Sequence, residues 1–325
     1  MTSASLAAAR GATGRSSGHR WAIAAVAAAL ALWPLLTQDK FFLHVGTRLC
    51  FAAIGAASLH LIIRTGHVSL GHTAFMGVGA YTSVYLVMQL KLPFLAGLVA
   101  ATGASALLAL AIGPVILRLT GKYFVLITFL LGEIARMVYV DWRSVTGGAN
   151  GIFEIPPPAP VFAEKLWYYY LALAAAAAVV AFCGRLLNSE VGRAMESIRE
   201  GERLAECSGV PVIRTKITVF VIACALVGFQ GSLQAHYETL ISPQLYSSLE
   251  SLNYVIMNVI GGMHTLVGPL VGAAFMIIVP ELLRDYVNAQ HILFGIILIV
   301  VMAGLPTGLV GMGSKLIAAL RGGSR

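Results

Sequence analysis

The sequence has 325 residues, of which 58% are hydrophobic and 11% are charged, and its formal net charge is +8. Soluble domains have about 25% charged residues, so the composition excludes an ordinary soluble protein and indicates a polytopic membrane protein. The basic residues lie in short segments between apolar runs, which is the pattern of membrane topology rather than of nucleic-acid binding. We therefore expect no nucleic-acid partner.

The N-terminal segment carries three arginines and no acidic residue in residues 1–20, and an apolar run follows it. This order is shared with signal peptides, but the run ends at Trp33-Pro34 instead of at small residues. We therefore predict a cytoplasmic tail over residues 1–20 and a retained first membrane helix after it.

Ten apolar segments follow one another, and all but the eighth approach the roughly 20 residues that a spanning helix needs. The short eighth segment is either a crossing by a broken helix or a re-entrant hairpin. With the N-terminus inside, Arg64, Lys122 and the loop after Arg185 fall on the cytoplasmic side, and a full eighth crossing also places the basic tail 313–325 inside. We predict an all-α, polytopic integral membrane bundle of about ten crossings over residues 21–312. The segments are 21–37, 41–63, 73–90, 93–117, 123–141, 166–184, 216–237, 249–262, 265–283 and 290–310.

A polar, glycine-rich break, TGHVSLGH, separates the second and third segments over residues 65–72. Irregular backbone at membrane depth is tolerated only where it is buried in protein or lines a cavity. Gly66 and Gly71 allow the chain to leave helical geometry, and Ser69 and Thr73 can satisfy freed backbone groups or cap the next helix. We therefore expect this break in the interior of the bundle.

A second break, NVIGGMHTLVGPLVGA, runs from Asn258 to Ala273. Gly261 and Gly262 supply flexibility, and Thr265 can cap the following helix. Two glycine-interrupted segments in one polytopic chain indicate a translocation pathway built from discontinuous helices, with tight helix packing alone as the alternative. The residues predicted for this pathway are Ser69, Gly71, His72, Thr73, Glu133, Asn258, Gly261, Gly262 and Thr265.

Other polar residues lie inside the apolar segments. Glu133 and Arg136, three residues apart in the fifth segment, can pair with each other or contact a substrate. Arg48 lies near a helix end and can extend its side chain to the membrane interface. Weaker candidates are Gln230, His236 and Asn253.

The motifs do not indicate catalysis. The chain has no G-x-x-x-x-G-K-[ST] loop for ATP phosphates, and its apolar segments contain no HExxH or GxSxG motif, so we expect a protein that is not an enzyme and binds no cofactor. His67 and His72 do not share a helix face and lack a third ligand, and the four cysteines are dispersed. We therefore predict no metal site.

The largest inner loop, residues 186–215, carries mixed charge and a short apolar stripe. Val191, Met195 and Ile198 recur at i, i+4 and i+7, which predicts an amphipathic helix whose start Ser189 can cap. Charge together with an apolar stripe favours a helix that docks a cytoplasmic partner. A solvated connector is the alternative.

Four segments in order carry a family resemblance: GHVSLGHTAFMGVGAYT, TGKYFVLITFLLGEIARM followed by TGGANGI, SEVGRAMESIREGERLAECSGV, and GGMHTLVGPLVGA. They resemble the permeases of branched-chain amino acid ABC importers, in particular the M-type (LivM) subunit, over about residues 41–312. The resemblance implies a permease domain in a bacterial inner membrane, surrounded by lipid. It also implies a second, H-type permease, two cytoplasmic ATPase subunits that use ATP, and an extracytoplasmic solute-binding protein.

The resemblance also identifies the motif from Ser189 to Gly209 as the loop that docks an ATPase, with spacing that departs from the importer consensus EAA---G. Closure of the ATPases on ATP would move this loop as a lever and switch the bundle between inward-open and outward-open states. The residues expected at this contact are Gly192, Arg193, Ile198, Arg199, Glu202, Ala205, Glu206 and Gly209.

Several functions stay open at this point. Branched-chain amino acids are favoured by the family, but related permeases carry urea, short amides or aromatic acids. A stand-alone ion-coupled secondary transporter would need coupling groups at mid-membrane, where Glu133 is the only well-placed carboxylate. A membrane enzyme would need a catalytic constellation, and none is evident.

Overall fold

A computed structural model describes residues 39–284, 289–304 and 308–312 of the chain. The first predicted membrane segment and both predicted tails lie outside these residues. Within them, helices form nearly all of the regular structure.

The described helices follow the predicted segments closely. The second to ninth segments each correspond to a helix whose bounds lie within four residues of the prediction, and the tenth corresponds to a helix described as far as Gly304. Short helices also occur in the connections. The α-helices are α1 (Lys40–Ile63), α2 (His72–Met88), α3 (Phe94–Ile116), α4 (Lys122–Asp141), α5 (Arg143–Thr146), α6 (Lys165–Leu187), α7 (Glu190–Glu200), α8 (Glu202–Cys207), α9 (Val212–Glu238), α10 (Ser248–Gly261), α11 (Val267–Leu282) and α12 (Gln290–Gly304).

A pair of very short strands is an exception to the predicted all-α fold. The two strands are antiparallel, with Ile152 opposite Ile241, and they tie the connection between α4 and α6 to the end of α9. Backbone pairing satisfies polar groups that the connections would otherwise leave open. The non-α elements are β1 (Ile152–Phe153), β2 (Leu240–Ile241) and 3₁₀ turns at Gly148–Asn150, Pro160–Ala163 and Pro243–Tyr246.

Among the described residues, the five helices α1, α3, α4, α6 and α9 are long and apolar enough to cross a membrane. Helices α2, α10, α11 and α12 have 14 to 17 residues. At 1.5 Å per residue they extend about 21 to 26 Å, which is less than the roughly 30 Å of a hydrocarbon core. The chain is a multi-pass membrane protein, but the prediction of ten full crossings is not confirmed.

The short eighth segment, α10, forms a close antiparallel hairpin with α11. A Cβ added at Gly261 would meet the carbonyl oxygen of Gly268, and one added at Gly272 would meet that of Met257. Small residues allow this direct backbone contact. The second break is therefore the turn of a helical hairpin.

The helices that follow the two breaks start without side-chain caps. Helix α2 begins after Gly71 and α11 after Leu266, and neither has a side-chain hydrogen bond at its cap. The predicted capping by Thr265 is therefore wrong. Of the two roles predicted for Thr73, it does not cap α2, but its hydroxyl satisfies the Ser247 backbone carbonyl. Ser189 does occupy the cap position of α7, but its hydroxyl donates back to the last turn of α6.

Helix α1 lies at the centre of the bundle, with 78% of its most apolar window buried, against 22% for α3, α4 and α6. It packs against α6, α9, α10 and α11. Glycines permit the closest approaches: a Cβ at Gly55 would meet the ring of Tyr254, and Gly79 on α2 faces Gly228 on α9. Helices α1 and α9 together carry eight of the twenty buried polar or charged residues in the described part of the chain.

Candidate translocation pathway and docking surface

Apart from the exposed Gly66, the first break, residues 64–71, and the start of α2 are largely enclosed by protein. Ser69, His72 and Thr73 are each at most 1% exposed, and the Ser69 hydroxyl has no hydrogen-bond partner within the described part of the chain. The non-helical backbone lies inside the bundle, where lipid cannot reach its polar groups.

The two histidines near this break have separate partners. His67 Nδ1 lies 3.1 Å from the Thr65 carbonyl oxygen, and its ring packs edge-on against Phe124. His72 Nε2 lies 2.8 Å from Ser58 Oγ on α1. Across the described residues, no three histidine, cysteine or carboxylate side chains come together in a way that could hold a metal ion.

Thr73 connects the start of α2 to the start of α10. Its hydroxyl donates to the Ser247 carbonyl at 2.8 Å, and its backbone N–H donates to Ser251 Oγ at 3.0 Å. Since the first turn of a helix leaves backbone N–H groups without partners, this contact takes the place of a cap. On the opposite side, a Cβ at Gly71 would meet the Thr128 carbonyl oxygen on α4.

Asn258 joins α10 to α1. Its Oδ1 lies 3.1 Å from His60 Nδ1, and its Nδ2 donates to a backbone carbonyl of α1 at 3.0 Å. Asn258 is fully buried, whereas Thr265 is exposed at the tip of the α10–α11 hairpin. Thr73 and Asn258 therefore connect α10 to α2 and to α1, respectively, whereas Thr265 takes part in neither contact.

Glu133 forms the predicted pair with Arg136 on α4. Arg136 Nε donates to Glu133 Oε2 at 2.9 Å, and the two side chains are 34% and 28% exposed, respectively. The pair lies in the second half of α4. Each partner therefore satisfies the other at membrane depth.

The inner loop is attached to the membrane helices by charged contacts. Arg64 at the C-terminal end of α1 lies 3.2 Å from the Glu196 carboxylate on α7. Lys216 on α9 has a fully buried side chain and lies 2.7 Å from Glu202 on α8. Arg199 reaches the tip of the α10–α11 hairpin. The loop is therefore part of the folded bundle rather than a free connector.

The apolar side of the inner loop faces its own chain. Met195 and Ile198 are at most 4% exposed, and Ile198 packs with Ala205 and Val212 in a small cluster. Gly192 is buried as well. Ile198, Ala205 and Gly192, which were expected at the ATPase contact, are thus buried against the chain's own residues.

The face of the inner loop that stays open lies mainly on α8 and the turn after it, and it extends to Arg193 on α7 and to the start of α9. Leu204 is 75% exposed and Ile213 is 43% exposed. Gly209 has a φ of +84° with open space around it, and Arg193 and Glu206 are also exposed. Sequence reasoning missed Leu204, because its direction depends on the turn between α7 and α8, which the stripe of α7 does not specify.

A cavity of about 230 Å³ opens between α1, α9, α10 and α11. It combines two opposite charges and side-chain amides with an apolar wall. Gln230 is fully buried; its Nε2 donates to the Tyr254 hydroxyl at 2.7 Å, and its Oε1 has no partner within the described part of the chain. The lining residues are Arg48, Phe51, Ala52, Gln230, Gln234, Glu250, Asn253, Tyr254, Met257, Met276 and Ile277.

Some of these residues were predicted from the sequence as separate polar candidates, but they were not predicted to form one site. Arg48, Gln230 and Asn253 were candidates, and Glu250 was missed. The sequence does contain a pattern that indicates a polar helix face, since Glu250, Asn253 and Tyr254 share one face of α10 at i, i+3 and i+4. Only the packing of α10 against α1 and α9 makes this face converge with Arg48 and Gln230.

Comparison with known proteins gives a consistent set of relatives. The family model described as branched-chain amino acid transport system / permease component matches residues 41–302. The high-affinity branched-chain amino acid transport system permease proteins LivM of Salmonella typhimurium and Escherichia coli are each 28% identical to this chain, over 86% of it and 72% of their own length. A probable LivM permease of Methanocaldococcus jannaschii is 23% identical over 59% of this chain and 61% of its own length. No solved structure gives a significant match.

Proposed function

The chain belongs to the branched-chain amino acid transport system permease family, and from this premise we propose that it is a transmembrane permease subunit of an ATP-binding-cassette importer for branched-chain amino acids. The family match over residues 41–302 is the observation that carries the proposal. The names of the relatives support the solute. These relatives are transport subunits, so ATP hydrolysis is assigned to separate partners and no cofactor to this chain.

The proposed assembly lies in a bacterial inner membrane and contains an H-type permease, two cytoplasmic ATPases and an extracytoplasmic solute-binding protein. Basic residues support the orientation: Arg64, Arg118 and Lys122 lie at the end of the bundle that carries the inner loop, which is the cytoplasmic end by the positive-inside rule. The short strands then lie at the outer end, where the binding protein would dock. Both termini are assigned to the cytoplasm.

A partly exposed ion pair on the surface of α4 supports the proposal that a second permease subunit binds there. The Glu133–Arg136 pair lies near the middle of this helix and is partly exposed. Because charged groups at membrane depth face protein or water rather than lipid, we assign this face of α4 to the contact with the second permease. Large exposed apolar residues surround the pair, namely Leu126, Phe129, Leu130, Ile134 and Met137.

The charged contacts of the inner loop support a coupling mechanism. An ATPase would bind the exposed face of α8 around Leu204. Motion of α8 would reach α9 through the Glu202–Lys216 pair, and motion of α7 would reach α1 through Glu196 and Arg64. Both routes end beside the first break, so a rigid displacement of the loop would change the packing of α2 and α10.

The proposed pathway opens where α10 meets the first break. In the described conformation, polar bonds hold α10 against the helices on both sides of this break, from Ser251 to Thr73 on α2 and from Asn258 to His60 on α1. Hydrogen bonds can be exchanged for bonds to water when helices separate, whereas close apolar packing has no such replacement. A pathway with few buried charges suits a solute that is delivered at high local concentration by a binding protein.

Reconstitution tests the proposal and its alternatives. The tagged chain is purified with its associated proteins, which are identified by mass spectrometry, and the complex is placed in proteoliposomes with the co-encoded binding protein. Recovery of a second permease and two ATPases, with ATP-dependent uptake of radiolabelled leucine, supports the importer. Ion-driven uptake by the chain alone would establish the secondary transporter instead. ATP-dependent uptake of urea, a short amide or an aromatic acid, without leucine uptake, would correct the solute.

A further inference from the structure

We propose that the cavity between α1, α9, α10 and α11 is a membrane subsite for the zwitterionic backbone and aliphatic side chain of a free α-amino acid. In this assignment Arg48 binds the carboxylate, Glu250 and Gln230 bind the ammonium group, and the apolar wall contacts the side chain. The inference rests on the proposed transport function and assigns a solute-binding site to it.

The cavity is lined by charged and polar side chains that lie well inside membrane-spanning helices, where such groups are rare. Arg48 lies eight residues inside α1, or about 12 Å from the start of the helix at 1.5 Å per residue, and Gln230 lies eight residues before the end of α9. Both helices are long and apolar enough to span a membrane. Ionisable and strongly polar groups at such depth face a cavity or pathway and mark functional sites.

The two charges of the lining are not used to neutralise each other. Arg48 and Glu250 line the same cavity, yet Arg48 takes part in no ion pair among the described residues, and the Glu250 carboxylate accepts a hydrogen bond of 3.0 Å from Asn253. Separate positive and negative groups facing one cavity suit a ligand that itself carries both charges. A free α-amino acid is such a ligand, whereas urea and amides are neutral.

Gln230 provides an independent sign of a ligand. The residue is fully buried and its Nε2 is bonded to the Tyr254 hydroxyl, but its Oε1 lacks a partner among the described residues. Buried acceptors are almost always satisfied, and each exception calls for an explanation such as a bound group. Gln230 Oε1 faces Gly55 of α1, so an ammonium group, which carries three donors, would bond to it and to a Glu250 oxygen after the Gln230 amide rotates toward the cavity.

The remaining lining sets the size and character of the ligand. The volume of about 230 Å³ is far more than a single water needs but lies below the roughly 300 to 1,000 Å³ of pockets for drug-sized ligands. One wall is apolar and contains two flexible methionines, which adapt to different aliphatic shapes. The apolar lining residues are Phe51, Ala52, Met257, Met276 and Ile277.

Ligand analogues test the charges without altering the protein. The wild-type complex is reconstituted in proteoliposomes, and binding of radiolabelled leucine to the complex without binding protein is measured by scintillation proximity. Unlabelled leucine and valine should compete. 3-Methylbutylamine, which lacks the carboxylate, and 4-methylpentanoate, which lacks the ammonium group, should each compete at least tenfold less well. Equal competition by all four compounds would overturn the proposal.

Variants locate the site. Arg48→Gln and Glu250→Gln change exposed side chains and should raise the KM for leucine uptake at least tenfold while subunit recovery stays unchanged. Lys91→Gln, an exposed charge change outside the cavity, is the matched control and should match the wild type. Wild-type KM values in both cavity variants would overturn the subsite while leaving the importer intact. Absence of leucine uptake by the wild-type complex would instead reject the proposed solute and the zwitterion subsite with it.

Discussion

The guanidinium of Arg64 lies 3.2 Å from the carboxylate of Glu196, and the Arg64 side chain is only 12% exposed. The same guanidinium donates to the His264 carbonyl oxygen at 3.1 Å. One residue at the end of α1 therefore connects the first break, the inner loop and the tip of the α10–α11 hairpin. These are the three segments that an ATPase would have to move together.

Arg64→Gln should uncouple ATP hydrolysis from transport. The substitution removes the charge that holds Glu196, so we expect leucine uptake per ATP hydrolysed to fall at least fivefold while the subunits still assemble. The measurement is uptake and phosphate release in the same proteoliposomes. Arg284→Gln is the matched control, because it also removes one positive charge from an ion pair, with Glu281, that lies outside the inner loop and is 65% and 29% exposed, and such a pair contributes little. An unchanged uptake ratio in Arg64→Gln would contradict the lever mechanism.

Leu204→Asp and Ile198→Asp should have different effects. Leu204 is 75% exposed, so an aspartate there should weaken recovery of the ATPase roughly tenfold, as expected for loss of an apolar interface residue, without changing the melting temperature. Ile198 is 4% exposed, so an aspartate there buries an unpaired carboxylate and should destabilise the loop by about 3 kcal/mol. ATPase co-purification and thermal unfolding of the permease separate the two effects. Equal loss of stability in both variants would show that Leu204 is not a surface contact.

Because the ammonium of Lys216 is buried, we predict that removing the charge of Glu202 destabilises the protein more than removing the charge of Lys216. Glu202→Gln leaves this ammonium without a counter-charge and should destabilise the protein by roughly 2 kcal/mol, since Glu202 is itself 42% exposed and water can replace part of the interaction. Lys216→Met removes the buried charge and should be milder, because replacing a buried ion by an apolar group of similar size is often neutral. Thermal unfolding in detergent measures both. A larger loss for Lys216→Met would contradict this account.

Gly71→Val should abolish uptake. A Cβ at residue 71 would meet the Thr128 carbonyl oxygen, and backbone cannot move aside as a flexible side chain can; overpacking of this kind costs about 1 to 3 kcal/mol. The expected result is displacement of α4 from the first break, measured as lost leucine uptake and lowered thermal stability. Gly103→Val on α3 is the control, because no atom lies within 4 Å of the Cβ position. Normal uptake by Gly71→Val would show that the close approach is dispensable.

The local structure of this chain could be predicted well because the membrane restricts it strongly. Apolar runs bounded by charges predicted the positions of the helices, and the glycine-rich stretch before His72 predicted the position of the first break. Both predictions follow because backbone at membrane depth must be helical or enclosed by protein. Resemblance in four ordered motifs indicated the family, which the family model confirms. Side-chain caps could not be predicted reliably at the two breaks, because the hydroxyl of a threonine can bond to several nearby or distant groups. The packing of the helices decides which of these bonds forms.

The sequence by itself determined that the chain crosses a membrane several times, where its helices break and which loop carries charge. The tertiary structure alone decided which faces of these helices are hidden. It turned Ile198 inward and Leu204 outward, and it brought Arg48, Gln230 and Glu250 to one cavity from three helices. The physical reason is that helical periodicity specifies a face only relative to its own axis, whereas the rotation of each helix is set by contacts with neighbours distant in sequence.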